Sequence, residues 1–129
     1  MLPQNEFHLA IVGTRTFTNK DFFNQMIDNR INRLSPNTIL WIVTGDAPGA
    51  DQLAREYCAS NVFIQSIVCY AKWELYGNKA GPIRNANIIE HADELIAFWD
   101  HNSKGTKNTI DLAQKKGIPV TIYAVERKD

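Results

Sequence analysis

The feature that most constrains this chain is its alternation of strand-length apolar runs with amphipathic stretches. Phe7 to Val12, Thr38 to Thr44, Val62 to Val68, Glu94 to Trp99 and Pro119 to Ala124 read as strands. Their starts recur about every 25 to 30 residues, with helical patterns between them. That is the spacing of βαβ units. It predicts an α/β fold, a Rossmann-like three-layer sandwich of about five parallel strands with flanking helices. The second run, TILWIVT, is continuously apolar, as in a strand buried on both faces.

Between the strands, Thr18 and Asp21 form a capping-box-like helix start. Phe23, Ile27, Ile31 and Leu34 then recur at helical spacing, and Pro36 and Asn37 close that helix. Asp51 opens a second helix. Tyr70 to Pro82 reads as the longest irregular segment, and Ile83 to His91 as the helix after it. Thr106 caps a last helix that Gly117 stops. Glu126 to Asp129 is a short charged tail. No linker, repeat or low-complexity stretch interrupts residues 1–129, so a single domain is expected.

The 129 residues include 14 basic and 14 acidic side chains. That balance disfavours a bulk electrostatic grip on nucleic acid or on an anionic membrane. No run approaches the length of a membrane span, and the N-terminus has no basic region followed by an apolar one. Cys58 and Cys69 lie in apolar surroundings and read as buried free thiols of a cytoplasmic protein. His8, His91 and His101 show no ligand spacing with them, so neither a metal nor another cofactor is expected.

In a parallel sheet, ligands bind beyond the carboxyl ends of the strands, at the switch point in strand order. The loops at 13–17, 45–51, 70–82 and 101–106 all follow strands and are expected to line one cleft there. The candidate ligand-binding residues lie in them: Gly13, Thr14, Arg15, Gly45, Asp46, Gly49, Asp51, Trp73, Gly81, Arg84, Asn85, Asp100, Lys104, Gly105 and Thr106. Glycines let backbone approach a phosphate, and helix N-termini offer free N–H groups. Asp51 also suits a helix first turn, and Thr106 an ordinary cap. Asp46 is a candidate acceptor for a ribose or base. Arg84 is a cation near a helix start, unfavourable without a compensating anion. Asn85 can make a bidentate amide contact, and Trp73 either stacks on a base or seals its loop. Trp41 and Trp99 read as core or core-edge residues. No nucleophile elbow, Walker A loop or paired-histidine motif occurs.

The stretches Gly13-Thr14-Arg15-Thr16-Phe17, Thr44 to Asp51, Ala80 to Asn85, and Ala97 to Asp100 with Lys104-Gly105-Thr106 resemble the YspA-like branch of the SLOG superfamily. That superfamily groups the Smf/DprA proteins with the LOG (lonely guy) nucleotide phosphoribohydrolases. The resemblance spans about Phe7 to Tyr123 and implies a Rossmann-like fold with a site for a nucleotide-derived ligand. Where the family's second loop reads S-G-G-A-R-G-A-D, this chain has Asp46 for the second glycine and Pro48 for the arginine. Where the LOG hydrolases carry the Glu of P-G-G-x-G-T-x-x-E, it has Thr109, and a hydroxyl is no substitute for that carboxylate. Asp111 should face elsewhere on the helix. Arg84 matches the arginine of those enzymes.

The resemblance therefore implies a binding module for a nucleotide-derived small molecule: a sensor, carrier or sequestering protein that forms a homodimer. The alternatives are a hydrolase cleaving an N-glycosidic or phosphate bond, with Asp46 and Asp51 as its weak catalytic candidates, and a single-strand-binding protein. The charge balance and the lack of exposed basic-aromatic runs weigh against nucleic acid.

Overall fold

The computed structural model describes residues 5–126. Of the charged tail only Glu126 falls among them. Five strands form one all-parallel sheet: β1 (Asn5–Gly13), β2 (Thr38–Gly45), β3 (Gln65–Cys69), β4 (Glu94–Trp99) and β5 (Val120–Ala124). Their order is β3-β2-β1-β4-β5. The helices are α1 (Lys20–Ile31), α2 (Ala50–Ala59), the single turn α3 (Trp73–Tyr76), α4 (Ala80–Glu90) and α5 (Lys104–Lys116). Among the described residues, no helix is long and apolar enough to cross a membrane.

Alternation along the central strands builds both cores, because successive strand residues point to opposite faces. Leu9 and Ile11 of β1, Ile42 of β2, and Ile96 and Phe98 of β4 pack with Phe23 and Ile27 of α1 and Leu53 and Ala54 of α2. Their neighbours Ala10, Val12, Val43, Leu95 and Ala97 pack with Ile88 and Ile89 of α4 and Ile110 and Ala113 of α5. The expected three-layer α/β sandwich is the observed one. A bidentate ion pair of Arg30 with Glu94, at 2.7 and 2.9 Å, ties the end of α1 to the start of β4.

Five local expectations need correction. Val62 and Phe63 are not strand residues. They sit 85% and 90% exposed in the α2–β3 loop, and pairing begins only where Gln65 meets Trp41. The segment 70–82 is not irregular throughout, since it holds α3, a 3₁₀ turn over Gly77–Lys79 and the start of α4. Pro82 is tolerated as the third residue of α4, where its missing N–H would have no intrahelical partner. The N-cap of α1 is Asn19, whose side chain accepts from Phe22 N at 3.1 Å. The N-cap of α5 is Ser103 rather than Thr106. Cys58 and Cys69 are free but half-buried rather than buried. Desolvation pushes the Cys58 thiol up to about 11.

Candidate functional site

The strand order reverses at β1, which sends the chain to β2 on one side and lies against β4 on the other. The loops leaving β1 and β4 therefore part at the carboxyl edge and open a crevice. A polar cleft of about 290 Å³ occupies it, lined by Gly13 of β1 and Arg15 of the loop after it, by Ala47 of the β2–α2 loop and Asp51 of α2, by Arg84 and Asn85 of α4, and by Ser103 with Lys104 to Thr106 and Thr109 of α5. A second, more apolar depression of about 350 Å³, between the start of α1 and the end of β5, holds none of the candidate residues.

The first wall is backbone held against backbone. A Cβ at Gly13 would lie 2.3 Å from the Phe98 carbonyl. Thr14 N donates to that carbonyl at 2.8 Å, and Thr14 Oγ1 accepts from Asp100 N at 3.0 Å. Gly49 has φ +79°, and a Cβ there would lie 2.3 and 2.4 Å from the Thr14 and Arg15 carbonyls. These contacts hold the loop rigidly and leave Arg15 exposed at the cleft.

The floor is a cluster of charges. Gly45 makes room for it, since a Cβ there would lie 2.5 Å from Asp51 Oδ2 and 3.0 Å from Arg84 Cδ. Asp51 is 5% exposed and accepts from Ala47 N at 3.3 Å. Burial pushes its carboxyl up to about 6, against the opposing pull of Arg84, Arg55 and its hydrogen bonds. The anion that compensates Arg84 is Asp46, at 2.6 Å from Nη1. Arg55 Nη1 bonds the carbonyls of Gly45 and Ala47 at 2.7 and 3.0 Å and so braces the same loop.

The far wall is the start of α5. Asp100 Oδ1 accepts from the amides of Asn102 and Ser103, each at 2.8 Å. His101 turns the chain at φ +65°, and its ring stacks on Trp99. Ser103 Oγ accepts from Thr106 N at 3.3 Å. Thr106 is itself buried, with its hydroxyl 3.0 Å from that of Ser103. Arg84 Nε donates to Asn85 Oδ1, and Asn85 Nδ2 donates to Asn108 Oδ1 at 3.0 Å and to the Gly105 carbonyl at 3.3 Å. Thr109, where the resemblance seeks a carboxylate, donates to the same Gly105 carbonyl at 3.1 Å. Asp111 faces away and pairs with Lys107.

Of the residues singled out in the sequence, Gly13, Arg15, Asp51, Arg84, Asn85, Lys104, Gly105 and Thr106 line the cleft. Thr14, Gly45, Asp46, Gly49 and Asp100 stand behind its walls and hold them. Gly81 and Trp73 lie beyond Arg84, with the indole over Gly81. Sequence reasoning missed Ser103, Arg55 and Asn108. Ser103 was findable as a strong capping residue directly before α5. Arg55 lies four residues after Asp51, on the same helix face. Asn108 had no signal of its own.

No family model matches the chain. The solved structure of DNA processing protein A (DprA) from Streptococcus pneumoniae shares its fold with a TM-score of 0.72 over 95% of this chain, at 19% identity. This chain spans 52% of that one, about half its length. The Gene 61 protein of Mycobacterium phage D29 is 31% identical over 117 residues, covering 87% of this chain and 92% of that protein. This chain belongs to the family of that phage protein.

Proposed function

We propose that the cleft binds the phosphate of a nucleotide-derived ligand and that the protein acts as a binding module, in the manner of the YspA-like branch. The observation that carries this reading is the position of the cleft. It lies at the switch point between β1 and β4, where the first turn of α5 faces it and Arg15, Lys104 and Arg84 surround it. Gly105 adds no side chain there, and a Cβ at its position would meet nothing within 4 Å. The solved structure that shares this fold is named for DNA processing, which speaks as much for the strand-binding alternative as for a nucleotide. The balance of 14 basic and 14 acidic residues weighs against a long backbone track.

The test is calorimetric titration of the full chain with nucleoside monophosphates, diphosphates and dinucleotides. Arg15→Ala and Lys104→Ala should each weaken binding about tenfold, as expected for a hydrogen bond to a charged group. No binding across the panel, or binding indifferent to both substitutions, refutes the reading.

A second reading, hydrolysis, is favoured by one observation: the buried Asp51 carboxyl on the cleft floor, raised to about 6 in reach of an operating pH. Release of free base or phosphate by the wild type, lost in Asp51→Asn, would establish it.

A further inference from the structure

Beside the cleft, the segment after β3 carries Tyr70, Trp73, Leu75 and Tyr76 at 65%, 49%, 68% and 45% exposure. Lys72, Glu74 and Lys79 interleave with them, all exposed. No residue of α3 is fully buried, and the rings of Tyr70, Trp73 and Tyr76 keep roughly half or more of their surface in water. The sequence had suggested that no exposed basic-aromatic run exists; the fold presents one.

Two contacts place this segment against the cleft. Asp46 Oδ1 accepts from Arg84 Nη1 at 2.6 Å and from Ala71 N at 3.2 Å, so one oxygen holds both the cleft arginine and the start of the segment. Gly81 lies under the indole. A Cβ built there would be 3.3 Å from the Trp73 ring, a tight approach that the indole would relieve by moving a few tenths of an ångström, and 4.0 Å from Arg84 Nη2. Glycine at 81 thus lets the indole lie close over the start of α4.

An exposed indole beside Gly81 of α4, near a cleft lined by Arg15 and Lys104, matches a flat uncharged ring tethered to an anion. A nucleobase joined through its sugar to a phosphate has that form. We propose that Trp73, flanked by Tyr70 and Tyr76, is the base-stacking subsite for a nucleotide whose phosphate sits in the cleft. This rests on the cleft reading above and adds the base to it. A single nucleotide fits better than a strand, because Glu74 interrupts Lys72 and Lys79 and leaves no continuous positive track.

The test is calorimetric titration of the full chain with ribose 5-phosphate, AMP, TMP and a ten-residue oligothymidylate. AMP should bind at least about tenfold more tightly than ribose 5-phosphate, a margin within the range of base–aromatic stacking. Trp73→Ala should erase that margin and leave ribose 5-phosphate binding unchanged, and Trp73→Phe should restore most of it. Equal affinity for AMP and ribose 5-phosphate, or a margin that survives Trp73→Ala, overturns the subsite while the phosphate cleft stands. No binding of ribose 5-phosphate, with AMP binding lost in Trp73→Ala, refutes the cleft and leaves the subsite. The oligothymidylate binding more than tenfold tighter than TMP, with the gain lost in Tyr70→Ala or Tyr76→Ala, overturns the single-nucleotide ligand in favour of a strand. No binding by any probe overturns both readings.

Discussion

The two walls of the cleft carry glycines for opposite reasons. On the β1 and β2 side, Gly13, Gly45 and Gly49 are each required by atoms of the protein itself. A carbonyl, a carboxylate or a pair of carbonyls fills the space where a Cβ would stand. On the α5 side, Gly105 faces open space, with nothing within 4 Å of a Cβ at its position. The first wall is explained by packing alone. The second is not, and that makes it the wall from which a ligand is the better explanation.

The sharpest way to break this contrast is Gly49→Ala. The backbone there sits in a region that only glycine occupies easily, and the new methyl would collide with two carbonyls. Strain and overpacking together should cost about 4 kcal/mol or more, seen as a large drop in the denaturant midpoint. A near-native midpoint would show that the loop re-forms freely and that the first wall is not rigid.

Next in size is Arg84→Ala. From sequence, removing a cation near a helix start would leave the ligand-free protein unchanged or slightly more stable. The structure reverses that expectation, because Arg84 is 8% exposed, pairs with Asp46 and faces Asp51. Its loss should cost about 2–3 kcal/mol, below the full cost of breaking a buried pair because Asp46 keeps some contact with water. Chemical denaturation of the ligand-free variant measures it.

Asp51 gives a smaller effect with a sign that can be checked. Its carboxyl titrates near 6 in the fold and near the ordinary value when unfolded. The native state therefore holds the extra proton between about pH 4 and pH 6. Stability from this group is fully present at the acid end and is lost as pH rises through 6, by about 3 kcal/mol. Asp51→Asn should remove that slope from the pH–stability curve. A parallel curve for the variant would mean that Asp51 is not the buried titrating group. Because protonation also removes a negative charge from the floor, binding of sulfate, whose own charge is constant over this range, should tighten from pH 7 to pH 5.

Smallest of all on stability is Gly105→Ala. It should change stability by no more than about 1 kcal/mol, and in the stabilising direction, since alanine suits a helix better. Its effect should fall on phosphate binding instead. A large loss of stability would erase the difference between the walls.

The layers of this fold were legible because hydrophobic alternation in β1, β2 and β4 survives burial on both faces. The start of β3 was misplaced because Val62 and Phe63, though β-prone, lie in a turn closed by Ile64 N donating to the Asn61 carbonyl at 3.1 Å, and pairing with β2 begins only at Gln65. The cleft was legible as a convergence of loops, since parallel topology sends every strand to the same edge. What could not be read was who partners whom. Asp46 and Arg84 are far apart in sequence, and their ion pair depends on how α4 lies against the β2 loop. Asp46 had been weighed as a free acceptor, and it is occupied by Arg84 and Ala71 N.

The place of β1 in the sheet has a consequence for how the chain acquires its structure. Of the five strands, the earliest in sequence is the middle one in space, hydrogen-bonded on one side to β2 and on the other to β4, with Leu9 opposite Glu94. The half formed by β1, β2, β3 and their two helices can assemble from contacts near in sequence. The second half, including the α5 wall of the cleft, waits for a contact across most of the chain, and closing so long a loop is slow. Until it closes, Ala10 and Val12 show their apolar side to water. In the growing chain, the wall made of packing comes first and the open wall last.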